Sequence, residues 1–236
     1  MKDYEKEFLE NFENLTGKHE ITVIFNHFLD FIIDNFTLNN KREWENYNEI
    51  YTNDEKKIFN NLFENFIIIM ESKINENRYY DYLGVFYESI IQSKYKAGDK
   101  GQFFTPHNIV DFIIGLNHNL KKGNVVNDPT CGSGRLLIGH QSKNQDCYLL
   151  GSDLDIMACK MCVINLLIHG GVGSVIWENS LSGEFYGAWK VNEYLNTGGF
   201  LLSVEKVNNR NNALFFMKTK DVGIVGSKKQ KQTTLL

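Results

Sequence analysis

The run Asn124-Val125-Val126-Asn127-Asp128-Pro129-Thr130-Cys131-Gly132-Ser133-Gly134-Arg135-Leu136-Leu137 reads as a short strand, a glycine turn and the start of a helix. The valines favour an extended, half-buried backbone. Pro129 ends the strand, and Gly132 and Gly134 permit a tight turn and a close approach of backbone to a ligand at a helix N-terminus. Outward from this run the text alternates. A helix precedes it over 110–120; after it come a helix from Arg135, a strand over 148–153, a helix over 156–169 and a strand near 175–177. Such alternation specifies parallel strands joined by crossover helices, the α/β doubly wound class.

Upstream the period changes. Ile58, Phe59, Leu62, Phe63, Phe66, Ile67 and Met70 recur at helical spacing, and Tyr82, Leu83, Phe86, Tyr87, Ile90 and Ile91 repeat it. With weaker stripes over 8–15 and 23–36, residues 1–98 are expected to form a helical N-terminal subdomain whose aromatic residues make its core. The polar stretch 93–102 carries Lys94, Lys96 and Lys100 and reads as a solvated linker or as a phosphate contact. An α/β domain is expected over 99–220. It closes with an antiparallel hairpin of 200–207 and 213–218 around Asn208, Asn209, Arg210, Asn211 and Asn212. Residues 221–236 are basic and expected to be disordered.

The composition is that of a globular chain, with 42% apolar and 13% aromatic residues to fill a core. A net charge of -4 excludes a protein that coats nucleic acid by charge alone, so any DNA contact needs a local basic patch. No run approaches the roughly 18 apolar residues of a membrane span. The start is acidic without a signal-peptide apolar region, and a cytoplasmic location is expected. Cys131, Cys147, Cys159 and Cys162 do not resemble a disulfide scaffold. Cys159 and Cys162 form a C-x-x-C but have no second pair to complete four metal ligands, so they read as small core residues and no metal is expected.

In such sheets, ligands bind outside the carboxyl ends of the strands. The residues placed there are Asp128 with Gly132 and Gly134 after the first strand, Asp153 after the second, and Asn179, Ser180 and Leu181 after the third. Asp153 stands 19 positions beyond Gly134, placed to accept hydrogen bonds from both hydroxyls of a ribose. The Asn179 amide suits an adenine edge. The third glycine of the dinucleotide fingerprint is missing and there is no G-K-[ST], so a nucleoside without a pyrophosphate fits best.

In order along the chain, DYLGVFYESI (81–90), GQFFTP (101–106), NDPTCGSGRLL (127–137), GSDLD (151–155) and ENSL (178–181) resemble motifs of adenine-specific DNA methyltransferases, and most closely the modification subunit of type I restriction–modification systems. The resemblance implies a Rossmann-like methyltransferase sheet and S-adenosyl-L-methionine as cofactor. Gln102, Phe104, Thr105 and Pro106 would line the methionine and carboxylate end, and Asp128, Gly132, Ser133 and Gly134 would hold the methionine portion. Asp153 would take the ribose, and Asn179 or Leu181 the adenine.

One part of the family pattern is missing. The family transfers the methyl group to the adenine N6 with an N-P-P-[YF] motif, which supplies hydrogen-bond acceptors and an aromatic ring to the flipped base. This chain has two prolines, Pro106 and Pro129, and both lie in other motifs. Asn192-Glu193-Tyr194 stands where a fourth strand should lead and offers an amide, a carboxylate and an aromatic ring, without the rigid turn. No catalytic residue is assigned. Three functions follow: methyl transfer to DNA adenine, with a partner such as a specificity subunit, another protein or a second copy of the chain completing the enzyme; a non-catalytic cofactor-binding or regulatory DNA-associated module; or methyl transfer to another substrate, a small molecule or a protein.

Overall fold

Helices form where apolar residues repeat every three to four positions and a polar side chain caps the first turn, and the N-terminal third shows both. Asp3 accepts from the Lys6 amide at 3.1 Å at the head of α1 (Tyr4–Thr16). After α2 (Ile21–Asn35) and a 3-10 turn (Glu43–Tyr47), Thr52 and Glu55 form a reciprocal capping box that opens α3 (Asn53–Asn77). The Thr52 backbone and hydroxyl hold the Glu55 carboxyl down to about 2. Asp81 caps α4 (Tyr82–Phe86) through the Gly84 amide at 2.8 Å, and a π-helical turn (Tyr87–Ile91) follows.

The computed structural model describes residues 3–38, 43–47, 49–91, 104–116, 123–143, 146–196, 198–214 and 233–234. They divide into two compact units, 1–36 with 41–103, and 37–40 with 104–236. Lys94, Lys96, Lys100, Gln102 and most of the basic tail lie outside the described residues.

The first unit is packed by rings. Phe59, Leu62, Phe66 and Met70 of the α3 stripe are buried, as are Tyr82, Leu83 and Phe86 of α4. Phe86 meets Phe12 at 4.9 Å and Phe8 at 5.3 Å, edge to face. Each such pair contributes about 0.5–1.5 kcal/mol beyond the area it buries.

The second unit is a six-stranded sheet ordered β5-β4-β3-β2-β1-β6. Strands β1 (Val125–Asp128), β2 (Tyr148–Asp153) and β3 (Gly173–Asn179) are parallel, joined by α6 (Arg135–Lys143) and α7 (Ile156–Ile168). α5 (His107–Leu116) precedes β1. Gly151 faces Leu137 of α6, and Leu149, on the same face of β2, lies beneath Gly171 beside Leu166 of α7. Both crossover helices therefore cover one face. On the other face Leu150, Ile176, Ala188, Val207 and Ala213 form a smaller core.

Three features depart from or add to the sequence reading. β4 (Glu184–Val191) returns antiparallel along β3, and β5 (Val204–Val207) pairs antiparallel with β4. Within the expected hairpin of 200–207 and 213–218, β5 pairs with β4, and residues 215–218 lie outside the described residues. The Asn-rich centre of the expected hairpin starts α8 (Arg210–Ala213), because Asn209 caps that helix by accepting from the Asn211 amide at 2.8 Å. At the far edge, Thr37 bridges Val204, and the Leu38 amide donates to the Val204 carbonyl at 3.3 Å. β6 (Thr233–Thr234) lies parallel on the open side of β1. Among the described residues, no helix is long and apolar enough to cross a membrane.

Candidate nucleoside site at the carboxyl ends of β1, β2 and β3

Because β1, β2 and β3 run in parallel, their carboxyl ends share one edge of the sheet, and hydrogen bonds tie the turns there together. The Cys131 amide donates to the Ser152 carbonyl at 2.9 Å, and the Gly132 amide donates to Asp153 Oδ2 at 2.9 Å. Asp153 Oδ1 accepts from the Asp155 amide at 2.9 Å. A carboxylate has about four acceptor positions, so these two bonds fix Asp153 in place and leave capacity for two hydroxyls. The Ser180 hydroxyl donates to the Pro129 carbonyl at 2.7 Å, which pins the β3–β4 turn to the turn after β1.

The glycines are needed where they stand. Gly132 has φ +54° and its Cα abuts the Phe104 ring; an added Cβ would come within 2.7 Å of it. Gly134 has φ +82°, and a Cβ there would lie 2.6 Å from Cys162 Sγ. Side chains at both positions would be strained and would open the turn.

Phe104 is buried against this turn, and its neighbours Thr105 and Pro106 are exposed. Arg135, only 4% exposed, donates from Nη1 to the Thr105 carbonyl at 3.1 Å. Its guanidinium carbon sits 5.7 Å from the centre of the Phe104 ring. A desolvated cation over a ring in this way contributes about 2 kcal/mol. The structure therefore joins Phe104, Thr105, Asp128, Gly132, Gly134, Asp153 and Asn179 along one edge.

Two of the residues singled out from the sequence are placed differently from the rest. Ser133 is fully buried, and its carbonyl accepts from Asn165 of α7 at 2.8 Å, so it anchors the turn from behind. The Leu181 side chain is fully exposed, while its amide donates to Asn179 Oδ1 at 3.0 Å. The Ser182 amide shares that oxygen at 3.2 Å. Asn179 thus uses its carbonyl to hold the β3–β4 turn, and its Nδ2 is the group able to donate to a base.

Other residues at this edge escaped the sequence reading. Trp177, opposite Asp153 across the β2–β3 pairing, donates from Nε1 to the Leu154 carbonyl at 3.0 Å and packs on Tyr186 of β4 at 5.1 Å. The alternation Val175, Trp177, Asn179 on one face of β3 was the available signal. On the opposite face Glu178, 3% exposed, accepts from the Ser152 hydroxyl at 3.0 Å and from Arg210 at 2.7 Å. Arg210 lies 32 residues away, and nothing in the local sequence announces that pair.

Burial pushes the Asp128 carboxyl up to about 6, and the nearby Asp153 charge adds to the shift. A cation brought beside Asp128 would restore its charge. Behind the turn, the Cys131 thiol is raised by its hydrogen bond with Cys162 and by burial, and the Cys162 thiol by burial. Cys159 donates weakly to the Asp153 and Ile176 carbonyls. These thiols are neutral packing groups.

Asn192-Glu193-Tyr194 sits at the other end of the sheet. β4 is antiparallel, so its last residue, Val191, pairs with Gly173, the first residue of β3. Asn192 is fully buried with φ +56°, and its Nδ2 donates to the carbonyls of Leu166, Leu167 and Gly171. Its Oδ1 accepts from the Ser203 amide. The segment is a structural lock, and it is no substitute for the missing proline motif.

A parallel sheet with a glycine turn after β1 and a fixed carboxylate after β2 is the arrangement in which open α/β sheets bind nucleosides. In comparison with known proteins, residues 78–189, just under half of the chain, match the family model described as N-6 DNA Methylase, and every motif quoted from the sequence falls within that span. The chain is 28% identical over 114 residues to the type I restriction enzyme MjaIX methylase subunit of Methanocaldococcus jannaschii, covering 44% of this chain and 20% of that protein. It is 32% identical over 99 residues to the MjaVII methylase subunit of the same organism, covering 39% and 17%. A crystal structure of a type I restriction-modification methyltransferase subunit from Streptococcus thermophilus aligns at 25% identity with a TM-score of 0.34, covering 50% of this chain and 25% of that one. The chain spans about a fifth of the length of the curated relatives it matches.

Proposed function

We propose that the second unit binds S-adenosyl-L-methionine and serves the adenine-specific DNA methyltransferase reaction. The observation that carries this reading is the set of hydrogen bonds drawing the turns after β1, β2 and β3 onto one edge, with Asp153 fixed by the Gly132 and Asp155 amides. Asp153 suits the ribose hydroxyls, and Asn179 Nδ2 an acceptor on adenine. Asp128, a buried carboxyl raised towards neutrality, suits the cationic end of the ligand, whose ammonium and sulfonium would return its charge. When bound, the cofactor supplies an activated methyl group on sulfur. The protein's part is to orient it through Asp153 and Asp128 and to shield it with Phe104.

The chain holds no N-P-P-[YF] sequence, and the structure puts Asn192 at the opposite end of the sheet from Asp153. The acceptors that localise the adenine N6 lone pair therefore come from outside these 236 residues, and DNA is engaged together with partner subunits. The second reading, a non-catalytic cofactor-binding module, draws on the same missing motif. Calorimetric titration with S-adenosylmethionine tests the binding step: the native chain should bind, and Asp153→Ala should weaken affinity by about tenfold or more, since each charge-assisted bond is worth roughly 1.5–3 kcal/mol. An unchanged affinity in Asp153→Ala refutes the placement. Transfer of labelled methyl to DNA, with and without a specificity subunit, separates the two readings.

A further inference from the structure

Arg135 occupies a position that electrostatics disfavours twice. It is the first residue of α6, where the helix dipole opposes a cation, and it is almost wholly buried. Part of its compensation comes from the segment that precedes α5: the Thr105 carbonyl at 3.1 Å and the ring of Phe104, 5.7 Å from the guanidinium carbon. Phe104 in turn lies so close to Gly132 that a Cβ added there would come within 2.7 Å of the ring. One guanidinium thus holds the Phe104–Thr105 segment and the glycine turn to each other.

We propose that Arg135 is a positioning residue: it clamps Phe104 and Thr105 over Gly132 and so forms the wall of the cleft that receives the amino-acid end of the cofactor. This rests on the cofactor reading above. Arg135 acts through Phe104 and Thr105 and leaves the adenosine half, held by Asp153 and Asn179, untouched.

Two ligands separate this role from a general contribution to folding. S-adenosylmethionine carries the amino-acid end on a sulfonium; 5′-methylthioadenosine has the same adenosine on a neutral thioether and lacks the amino-acid end. In titrations of the full chain, Arg135→Gln is expected to weaken S-adenosylmethionine by about tenfold, the scale of a lost desolvated cation–ring contact, and to change methylthioadenosine by less than about twofold. Arg135→Lys, which keeps the charge and a donor but loses the planar face, should recover part of the affinity. Phe104→Leu, which leaves the guanidinium its carbonyl partner, should reproduce the selective loss if Arg135→Gln does not fold. Equal weakening of both ligands, or no change in either, overturns the proposal while the cofactor reading stands. A native chain that binds neither ligand overturns both.

Discussion

The two units are held together by different means. In the first, large rings interdigitate: Phe86 alone contacts Phe8, Phe12, Phe25 and Tyr82. In the second, the functional edge is built from backbone amides, glycines and short polar side chains, with Gly132, Asp153, Asn179 and Ser180 each placed by one or two hydrogen bonds. Volume packing tolerates rearrangement at constant volume, whereas a hydrogen-bonded turn with positive φ does not. The first unit should therefore respond to lost volume, and the second to charge and backbone geometry.

The largest effect should come from removing a ring. Phe86→Ala leaves a cavity among four aromatic neighbours and should cost about 3–5 kcal/mol in denaturant unfolding. A loss below about 1 kcal/mol would show that the ring cluster relaxes and that the contrast between the units is weaker than drawn.

Charge should dominate in the second unit, in two opposed directions. The Asp128 pKa is raised in the folded chain from 3.8 to about 6, so its stabilising protonated form is present at low pH and stability is lost as pH rises through that window. Asp128→Asn should then stabilise the ligand-free protein by about 2–3 kcal/mol at pH 7.5, have little effect at pH 3.5, and weaken S-adenosylmethionine. His140 is buried with no hydrogen-bond partner among the described residues for either ring nitrogen, and burial lowers its pKa from 6.5 to about 4. A depressed His pKa gives stability that is present above about 6.5 and is lost as pH falls towards 4. His140→Phe should be more stable than the native chain by about 2 kcal/mol at pH 5, with that advantage shrinking by pH 7.5. In the native chain the two windows overlap and oppose each other. Thermal unfolding of both variants from pH 4 to pH 8 reads each slope separately; parallel curves for native chain and variants would remove the electrostatic half of the comparison.

The smallest effect should come from a cap. Thr52→Ala removes the hydroxyl half of the capping box on α3 and should cost about 1 kcal/mol, without altering nucleoside affinity. Native and variant chains with equal melting temperatures would show that ring packing alone sets the stability of the first unit.

The helical stripes and the three parallel strands were legible because they depend on periodicity: rings every three to four residues in the first unit, apolar runs bounded by turn residues in the second. The site was legible in part for the same reason, since Asp128 and Asp153 directly end their strands and Gly132 and Gly134 lie in the turn that follows. β4 was not. Glu184 to Val191 carries glycine and charge, and it becomes a strand because the turn capped by Asn179 returns it along β3.

What the sequence determined by itself is the order of motifs and the element each one ends, because hydrophobic period and turn chemistry act within a few residues. The tertiary structure decided the rest: that Asn192 locks the far end of the sheet, that Glu178 meets Arg210, and that Arg135 lies over Phe104. Those choices depend on strand direction and on contacts between residues up to several tens of positions apart, where a local pattern carries no information about which groups share a low-dielectric interior.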